Sequence, residues 1–289
     1  MSITKKNVAW MTLAGGLVIF VLKLAAYYLS GSVALLSDAL ESIVNLLASG
    51  LMLYAVYLSE EPADRTHNYG HQKVENISSL IEGILILVAA VMIAEKAVGR
   101  LIRPAELTNI NVALIISLAA TALNGLLSWL LLRTARKFGS LALEGDSKHL
   151  LSDVLSSVAV AAGLFLAKLT GWHFLDSALA LAVSGLLIKM AMELIKKSSI
   201  GLMDQSCPAE ESRIIEVLKR HDQLFVDFHD IKTRRSGNRV FAEFHLSVKG
   251  DKTVEEAHNL TDHLEEELGQ ELPEVSLTIH VEPPQQQNQ

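Results

Sequence analysis

The sequence predicts a polytopic α-helical membrane protein with six transmembrane helices, followed by a C-terminal cytoplasmic α+β domain of the order αββαβ. Half of the 289 residues are apolar, only 20% are charged, and the mean hydropathy is +0.33, which is high for a soluble chain. The apolar residues also occur in six long blocks. After Gly201 the pattern changes to shorter amphipathic elements, which are typical of a soluble domain.

Each apolar block is long enough to cross a hydrocarbon core of roughly 30 Å, which requires about 20 helical residues. The blocks comprise residues 8–29, 32–58, 77–98, 110–132, 150–169 and 174–195. The first block follows Lys5 and Lys6, but it is too long for the apolar core of a signal peptide, so we expect it to be retained. Residues 1–200 are therefore predicted to form a six-helix transmembrane domain.

The basic residues of the short loops predict the orientation of these helices. Ten of them fall on one side of an alternating six-helix arrangement: Lys5, Lys6, Arg65, Lys73, Arg133, Arg136, Lys137, Lys148, Lys196 and Lys197. The other side has mainly Arg100, Arg103 and Lys168. Because an excess of Lys and Arg marks the cytoplasmic side, both termini are predicted to be cytoplasmic.

The soluble part is predicted to fold as one small sheet with two helices. Pro208 opens a helix, residues 225–233 and 240–248 read as strands joined by a turn at 234–238, residues 254–268 as a helix, and 275–281 as a strand. Helices on one face of such a sheet give an α+β domain over residues 201–284. The Gln-rich residues 285–289 are predicted to be disordered.

Charge and cysteine content exclude several classes of function. Residues 201–289 contain 9 basic and 18 acidic residues, a net charge of −9, together with six of the ten histidines. No segment is basic enough to indicate nucleic-acid binding. The single Cys207 excludes an internal disulfide and a zinc site built from cysteines. Catalytic motifs such as a nucleophile elbow are absent from the sequence, so we do not expect an enzyme.

Polar side chains within the apolar blocks suggest a metal site, because ionisable groups at bilayer depth cost a few kcal/mol each. His149 and Asp153 are four residues apart and therefore share one helix face, as do Glu41 and Asn45. Two such pairs could supply four ligands to a divalent metal ion. The alternative is polar contact between helices, which suits Glu41 poorly because a lone carboxylate is expensive to bury.

Two further groups of residues have the composition of metal ligands. Asp64, His67 and His71 lie in the loop between the second and third blocks, where an exposed polar loop is the alternative interpretation. The soluble domain contributes a larger set, whose alternative interpretation is ordinary surface histidines: His229, His245, His258, His280 and Glu282. Four histidines and a carboxylate in a domain with one cysteine favour a His/carboxylate metal site.

These features together resemble the cation diffusion facilitator family. The resemblance rests on the six spans, the run starting at Gly31, the loop from His67 to Lys73, the His149–Asp153 pair and the αββαβ domain. It implies a homodimeric exporter that exchanges a cytoplasmic divalent metal ion for protons, with a ferredoxin-like, metallochaperone-like cytoplasmic domain for dimerisation. It assigns the transport site to Glu41, Asn45, His149 and Asp153, an interfacial site to Asp64, His67 and His71, and a binuclear cytoplasmic site to His229, His245, His258, His280 and Glu282.

The metal ion is expected to be both substrate and regulator, with no prosthetic group. Zinc exporters of the family usually carry His or Asp, then Asp, where this chain has Glu41 and Asn45. The oxygen-rich set suits Zn²⁺ and also Fe²⁺ or Mn²⁺. We expect a multi-pass protein in the lipid bilayer of the cell membrane, the inner membrane in a bacterium. A non-transporting membrane metal sensor or scaffold is the alternative function.

Overall fold

The computed structural model describes residues 4–30, 33–102, 111–170, 172, 174–237 and 239–284. The chain divides into two compact units, Met1–Ser199 and Ile200–Gln289. The predicted disordered segment 285–289 and Asn238 of the predicted turn lie outside the described residues.

The first unit is a bundle of long helices. Within the described residues there are six: α1 (Lys5–Ser30), α2 (Val33–Ser59), α3 (Val74–Ile102), α4 (Asn111–Phe138), α5 (Leu141–Thr170) and α6 (Phe174–Leu202). A search of the described residues finds a stretch long and apolar enough to cross a membrane in five of them, α1, α2, α3, α4 and α6. Helix α5 begins at Leu141, earlier than the predicted block 150–169. Its first turns contain Glu144, Asp146 and Lys148, so a hydropathy pattern does not include them. The predicted helical membrane domain is confirmed.

The bundle exposes large apolar side chains and buries several polar ones beside its apolar core. Leu47 on α2 is 70% exposed, whereas the carboxyl-bearing residues Glu82 and Asp146 are both 0% exposed. The bundle also buries hydroxyl pairs, such as Ser128 and Ser147, whose side chains bond to each other's backbone carbonyls at 2.8 and 2.9 Å. An apolar outer surface, with the charged and polar groups kept inside, is what a bilayer selects, because lipid cannot solvate charge.

One carboxylate ties together the ends of four helices. Glu75, in the first turn of α3, is 6% exposed. It accepts hydrogen bonds from Lys5 Nζ (3.1 Å), Ser59 Oγ (2.8 Å) and Ser140 Oγ (2.5 Å), which lie on α1, at the end of α2 and just before α5. Because this buried carboxylate has an ion-pair partner and hydrogen bonds, it can hold the first turn of α3 against the neighbouring helix ends.

The second unit has the predicted order, with α7 (Pro208–Arg220), β1 (Asp227–Ser236), β2 (Arg239–Ser247), α8 (Val254–Glu271) and β3 (Val275–Glu282). The sheet order is β1-β2-β3, with β1 antiparallel and β3 parallel to β2. The predicted turn 234–238 is too long, because β1 continues to Ser236, which pairs with Arg239. Gly237, at φ +60°, lies between them, in the region that favours glycine.

A β-bulge in β1 determines which residues share the exposed face of this sheet. His229 pairs with His245 and Lys232 pairs with Glu243, so two residues of β1 oppose one of β2. Asp230 takes up the extra length with φ +52°. His229 and Lys232 therefore lie on one face although they are three residues apart, a spacing that a regular strand would place on opposite faces.

The opposite face of the sheet forms the core of the unit. Phe244, at the centre of β2, is fully buried together with Ile214 of α7 and Leu264 of α8. Phe228 and Ile231 of β1 pack against the same cluster from either side of the bulge. Both helices thus bury their apolar stripes on one face of the sheet, which leaves the other face for polar side chains.

Helix α8 begins with a capping box, which leads to a stability prediction. Thr253 Oγ1 accepts the N–H of Glu256 at 3.2 Å, and Glu256 Oε2 accepts the N–H of Thr253 at 2.7 Å. We expect T253A to lower the free energy of unfolding of residues 201–289 by roughly 1 kcal/mol in urea titrations followed by circular dichroism. T253S should retain wild-type stability; an unchanged midpoint in T253A would contradict the role of the cap.

The same contact makes the cap dependent on pH. The N–H of Thr253 lowers the pKa of the Glu256 carboxyl below its ordinary value of 4.5. Because the folded state lowers this pKa, the contribution is fully present above the ordinary value. It is lost as the pH falls through the folded pKa.

Candidate metal sites

Asn45, His149 and Asp153 meet inside the helical bundle, between α2 and α5. Asn45 Nδ2 donates to Asp153 Oδ2 at 2.6 Å, so the amide oxygen faces away from this carboxylate. That oxygen lies 3.1 Å from His149 Nε2. His149 is 5% exposed. The structure thus brings together three of the four residues assigned to the transport site; the side chains of Glu41 and of Asp38 lie outside the described part of the chain.

These three neighbouring side chains carry an imidazole nitrogen, an amide oxygen and a carboxylate, with the Asn45 amide between the other two. A divalent transition metal ion accepts all three atom types as ligands. The pairs arise because four residues along a helix return the chain to the same face, so α5 presents His149 and Asp153 together to Asn45 on α2. The arrangement offers metal-ligand atoms at a buried position between two helices of the bundle.

A second group lies in the loop between α2 and α3. His71 Nε2 is 3.0 Å from His67 Nδ1, and it lies 3.5 Å from Asp64 Oδ2. The candidate ligand atoms of all three residues lie within 4.8 Å of one another. The side chain of His71 is 11% exposed, while Asp64 and His67 are about half exposed, so the group opens to solvent on one side.

Local hydrogen bonds hold Asp64 ready as a ligand. Its Oδ1 accepts from Thr66 Oγ1 at 2.8 Å and from the N–H groups of His67 and Thr66 at 2.6 and 2.7 Å. The Thr66 hydroxyl, followed by the two backbone donors, lowers the pKa of Asp64 to about 2. The carboxylate is therefore ionised at neutral pH, and its Oδ2 remains directed toward His71.

A third group covers the exposed face of the sheet in the second unit. Glu282 contacts two histidines: its Oε1 lies 3.2 Å from His229 Nε2, and its Oε2 lies 3.3 Å from His245 Nδ1. The ligand atoms of these three residues lie within 4.8 Å of one another. His280 pairs with His245 across β2 and β3, with 4.8 Å between their ring centroids.

His258 is not brought to this cluster within the chain. It lies on α8, is exposed, and has its Nδ1 3.5 Å from Asp262 Oδ1, one helical turn further on. Its assignment as a ligand therefore stays a prediction from the resemblance. Conversely, sequence reasoning missed Asp230, whose Oδ2 lies 3.9 Å from His245 Nε2. Lys232 donates to that carboxylate and lowers its pKa.

The sequence assigns no role to two carboxylates that the bundle buries, Asp146 and Glu82. Asp146 accepts from Ser49 Oγ at 3.0 Å, and Glu82 Oε2 lies 3.8 Å from His149 Nδ1. The signal available in the sequence was a carboxylate inside or beside an apolar block. The partner of each carboxylate depends on how α5 packs against another helix: against α2 for Asp146 and against α3 for Glu82.

Family models of the two parts of a cation efflux protein match nearly the whole chain. The model of the cation efflux transmembrane domain matches residues 9–203, and the model of the cytoplasmic domain of cation efflux proteins matches residues 208–284. The chain belongs to the cation diffusion facilitator family. It is therefore a multi-pass membrane transporter for cation efflux, and the prediction that it is not an enzyme is confirmed because members of the family are transporters.

Relatives align along almost the full length of this cation diffusion facilitator. An uncharacterized transporter of Synechocystis sp. is 38% identical over 276 residues, which cover 95% of this chain and 89% of the relative. The cation-efflux pump FieF of Shewanella oneidensis is 28% identical over 274 residues, covering 95% of this chain and 92% of the relative. Among solved structures, the metal-bound C-terminal domain of the CzcD transporter from Thermotoga maritima is 30% identical, covers 28% of this chain and 93% of that chain, and has a TM-score of 0.26.

Proposed function

We propose that the chain exports a divalent transition metal ion from the cytoplasm in exchange for protons, with Zn²⁺ as the favoured substrate and Fe²⁺ or Mn²⁺ as alternatives. The observation that carries the proposal is the meeting of Asn45, His149 and Asp153 inside the membrane-spanning bundle. Glu41 is proposed as the fourth ligand, since it lies one helical turn before Asn45 on α2.

The chemistry of these ligands couples metal to protons. A metal ion would bind His149 through Nε2, which lies 3.1 Å from Asn45 Oδ1, and it can do so only when the ring is neutral, so an imidazolium must first lose a proton. The carboxylates of Asp153 and Glu41 must likewise be ionised to bind a cation. Metal binding therefore releases protons, and proton binding releases metal. A site that faces each side of the membrane in turn would exchange one for the other.

The remaining clusters are proposed to act on the cytoplasmic side. The excess of basic loop residues supports a cytoplasmic position for both termini and the soluble domain. Asp64, His67 and His71 would then lie near the entrance of the transport pathway. In the soluble domain, metal bound by His229, His245, His280 and Glu282, with His258 as a further proposed ligand, would regulate a homodimer by favouring its transporting state. The support is that the strand pairing places His229, His245 and His280 side by side on one exposed face of the sheet.

Transport by the purified chain separates this function from that of a metal sensor. The chain is reconstituted into vesicles that contain a pH-sensitive dye, and Zn²⁺, Fe²⁺, Mn²⁺, Co²⁺ or Cd²⁺ is added outside. We expect metal entry together with proton exit for Zn²⁺ at least. Metal binding without transport of any of these ions would instead support the sensor.

Asn45 is proposed to tune the choice of metal. N45D replaces a neutral amide oxygen by a carboxylate, and we expect it to shift the preference toward Zn²⁺ over Mn²⁺ by about tenfold, or ~1.4 kcal/mol. Competition between the two ions in the transport assay measures this shift. N124D is the matched control. Asn45 and Asn124 both line one small cavity in the bundle, but in the described part of the chain only Asn45 donates to Asp153. An unchanged or reversed preference in N45D would refute the ligand role of Asn45.

A further inference from the structure

Glu82 is a buried acid that the transport site so far does not use. It lies on α3, is 0% exposed, and neither of its carboxylate oxygens has a hydrogen-bond partner among the described residues. Native proteins rarely leave a buried polar group unsatisfied, and burying a carboxylate in a membrane domain is costly. Such a group is expected to serve a ligand or a neighbour of that ligand.

Close packing of α3 against α5 directs Glu82 toward His149. A Cβ at Gly145 would lie 3.1 Å from Ser79 Cα and 3.2 Å from Glu82 Cβ and Cγ, so a larger residue would require α3 and α5 to move apart by a few tenths of an ångström. His149 is one helical turn after Gly145 and lies on the same face of α5. As a result, Glu82 Oε2 comes to 3.8 Å from His149 Nδ1.

The two nitrogens of His149 therefore face different partners. Nε2 faces Asn45 and the proposed metal position, whereas Nδ1 faces Glu82. When a metal ion takes Nε2, the remaining N–H of a neutral imidazole must be on Nδ1. A carboxylate at that position fixes the orientation of the ring and strengthens the bound nitrogen as a donor, as carboxylates do behind many metal-bound histidines.

We propose that Glu82 is a positioning residue of the transport site, which accepts the Nδ1–H of His149 while Nε2 binds the transported metal ion. The inference rests on the proposed role of His149. It requires only that the separation of 3.8 Å shorten to hydrogen-bond distance, about 0.6 Å less. Glu82 would thus set the affinity for the ion without touching it.

The test uses the full-length chain in vesicles and two replacements of Glu82. E82L removes the acceptor and leaves an apolar side chain, so that the fold no longer buries a carboxylate. E82Q retains a carbonyl oxygen that can accept from Nδ1–H. We expect the KM for Zn²⁺ to rise about 10–100-fold in E82L and by less in E82Q, with a smaller change in Vmax in both. E95L makes the same change at an exposed position of α3 and should leave KM unchanged.

A second measurement follows binding in the absence of transport. Each purified variant, and the same variant carrying H149A, is titrated with Co²⁺. The difference between their visible spectra isolates the Co²⁺ that is held through His149. We expect this difference spectrum to require 10–100-fold more Co²⁺ in E82L than in the wild type, and partial recovery in E82Q.

Three outcomes would overturn the inference, and they have different meanings. Wild-type KM and Co²⁺ affinity in E82L, with transport abolished by H149A, would reject Glu82 and leave the site intact. A lower Vmax at unchanged KM would assign Glu82 a purely structural role. Wild-type transport and spectra in H149A would reject the transport site itself, and the role of Glu82 with it.

Discussion

H149A and D153A are each expected to reduce metal-driven proton flux to that of vesicles without protein. His149 supplies the only imidazole near Asn45 in the described part of the bundle, and Asp153 supplies the carboxylate that the Asn45 amide contacts at 2.6 Å. Removing either leaves two described ligands, which is too few to hold a transition metal ion against water. Each substitution also removes a group that can bind and release a proton, so proton exchange is lost together with metal binding.

The measurement is the rate of internal pH change after addition of Zn²⁺, with equal amounts of folded protein in each vesicle preparation. H263A and D251A are suitable controls, since they make the same chemical changes outside the three clusters, on the second unit. Both should transport at the wild-type rate. Undiminished flux in H149A and D153A would show that the ion crosses elsewhere.

H245A is expected to weaken Zn²⁺ binding to the cytoplasmic domain by roughly two orders of magnitude or more, since even the loss of an outer partner of a metal ligand costs 10–100-fold. His245 is central to its cluster. Its ring centroid lies 5.3 Å from that of His229 and 4.8 Å from that of His280, and its Nδ1 lies 3.3 Å from Glu282.

Calorimetric titration of residues 201–289 with Zn²⁺ measures this loss, because the unit has its own apolar core. H263A provides the matched control and should bind as the wild type does. The H258A variant decides separately whether His258 joins the cluster despite its position on α8. Zn²⁺ binding by H245A at wild-type strength would remove the cluster from consideration as a metal site.

The sequence predicts the helices and the order of the soluble domain well, because hydropathy and strand alternation are local properties. Helical periodicity is also enough to place His149 and Asp153 on one face, and the structure adds Asn45 to them. The sequence could not predict that Glu82 faces His149, because this contact depends on how closely α3 approaches Gly145. Such packing between helices has no local pattern in the sequence.

The soluble domain shows the same division. Alternation correctly predicts that His280 and Glu282 share one face of β3, whereas the position of His229 beside His245 depends on the bulge at Asp230. A bulge changes the alternation of a strand and is not evident from residue types alone. Composition alone groups His258 with the other histidines. In the structure it lies on α8, where its side chain contacts Asp262 of the same helix.

The Glu75 contacts have a mechanical consequence for transport. The loop that carries His71 leads directly into α3, where Glu75 is held by three other segments of the bundle, and Glu82 follows two helical turns later. Seven residues of helix span about 10 Å. A helical segment of that length therefore connects the solvent-facing loop to Glu82, the side chain that faces His149 Nδ1. A tilt of α3 about Glu75 would therefore move His71 and Glu82 together.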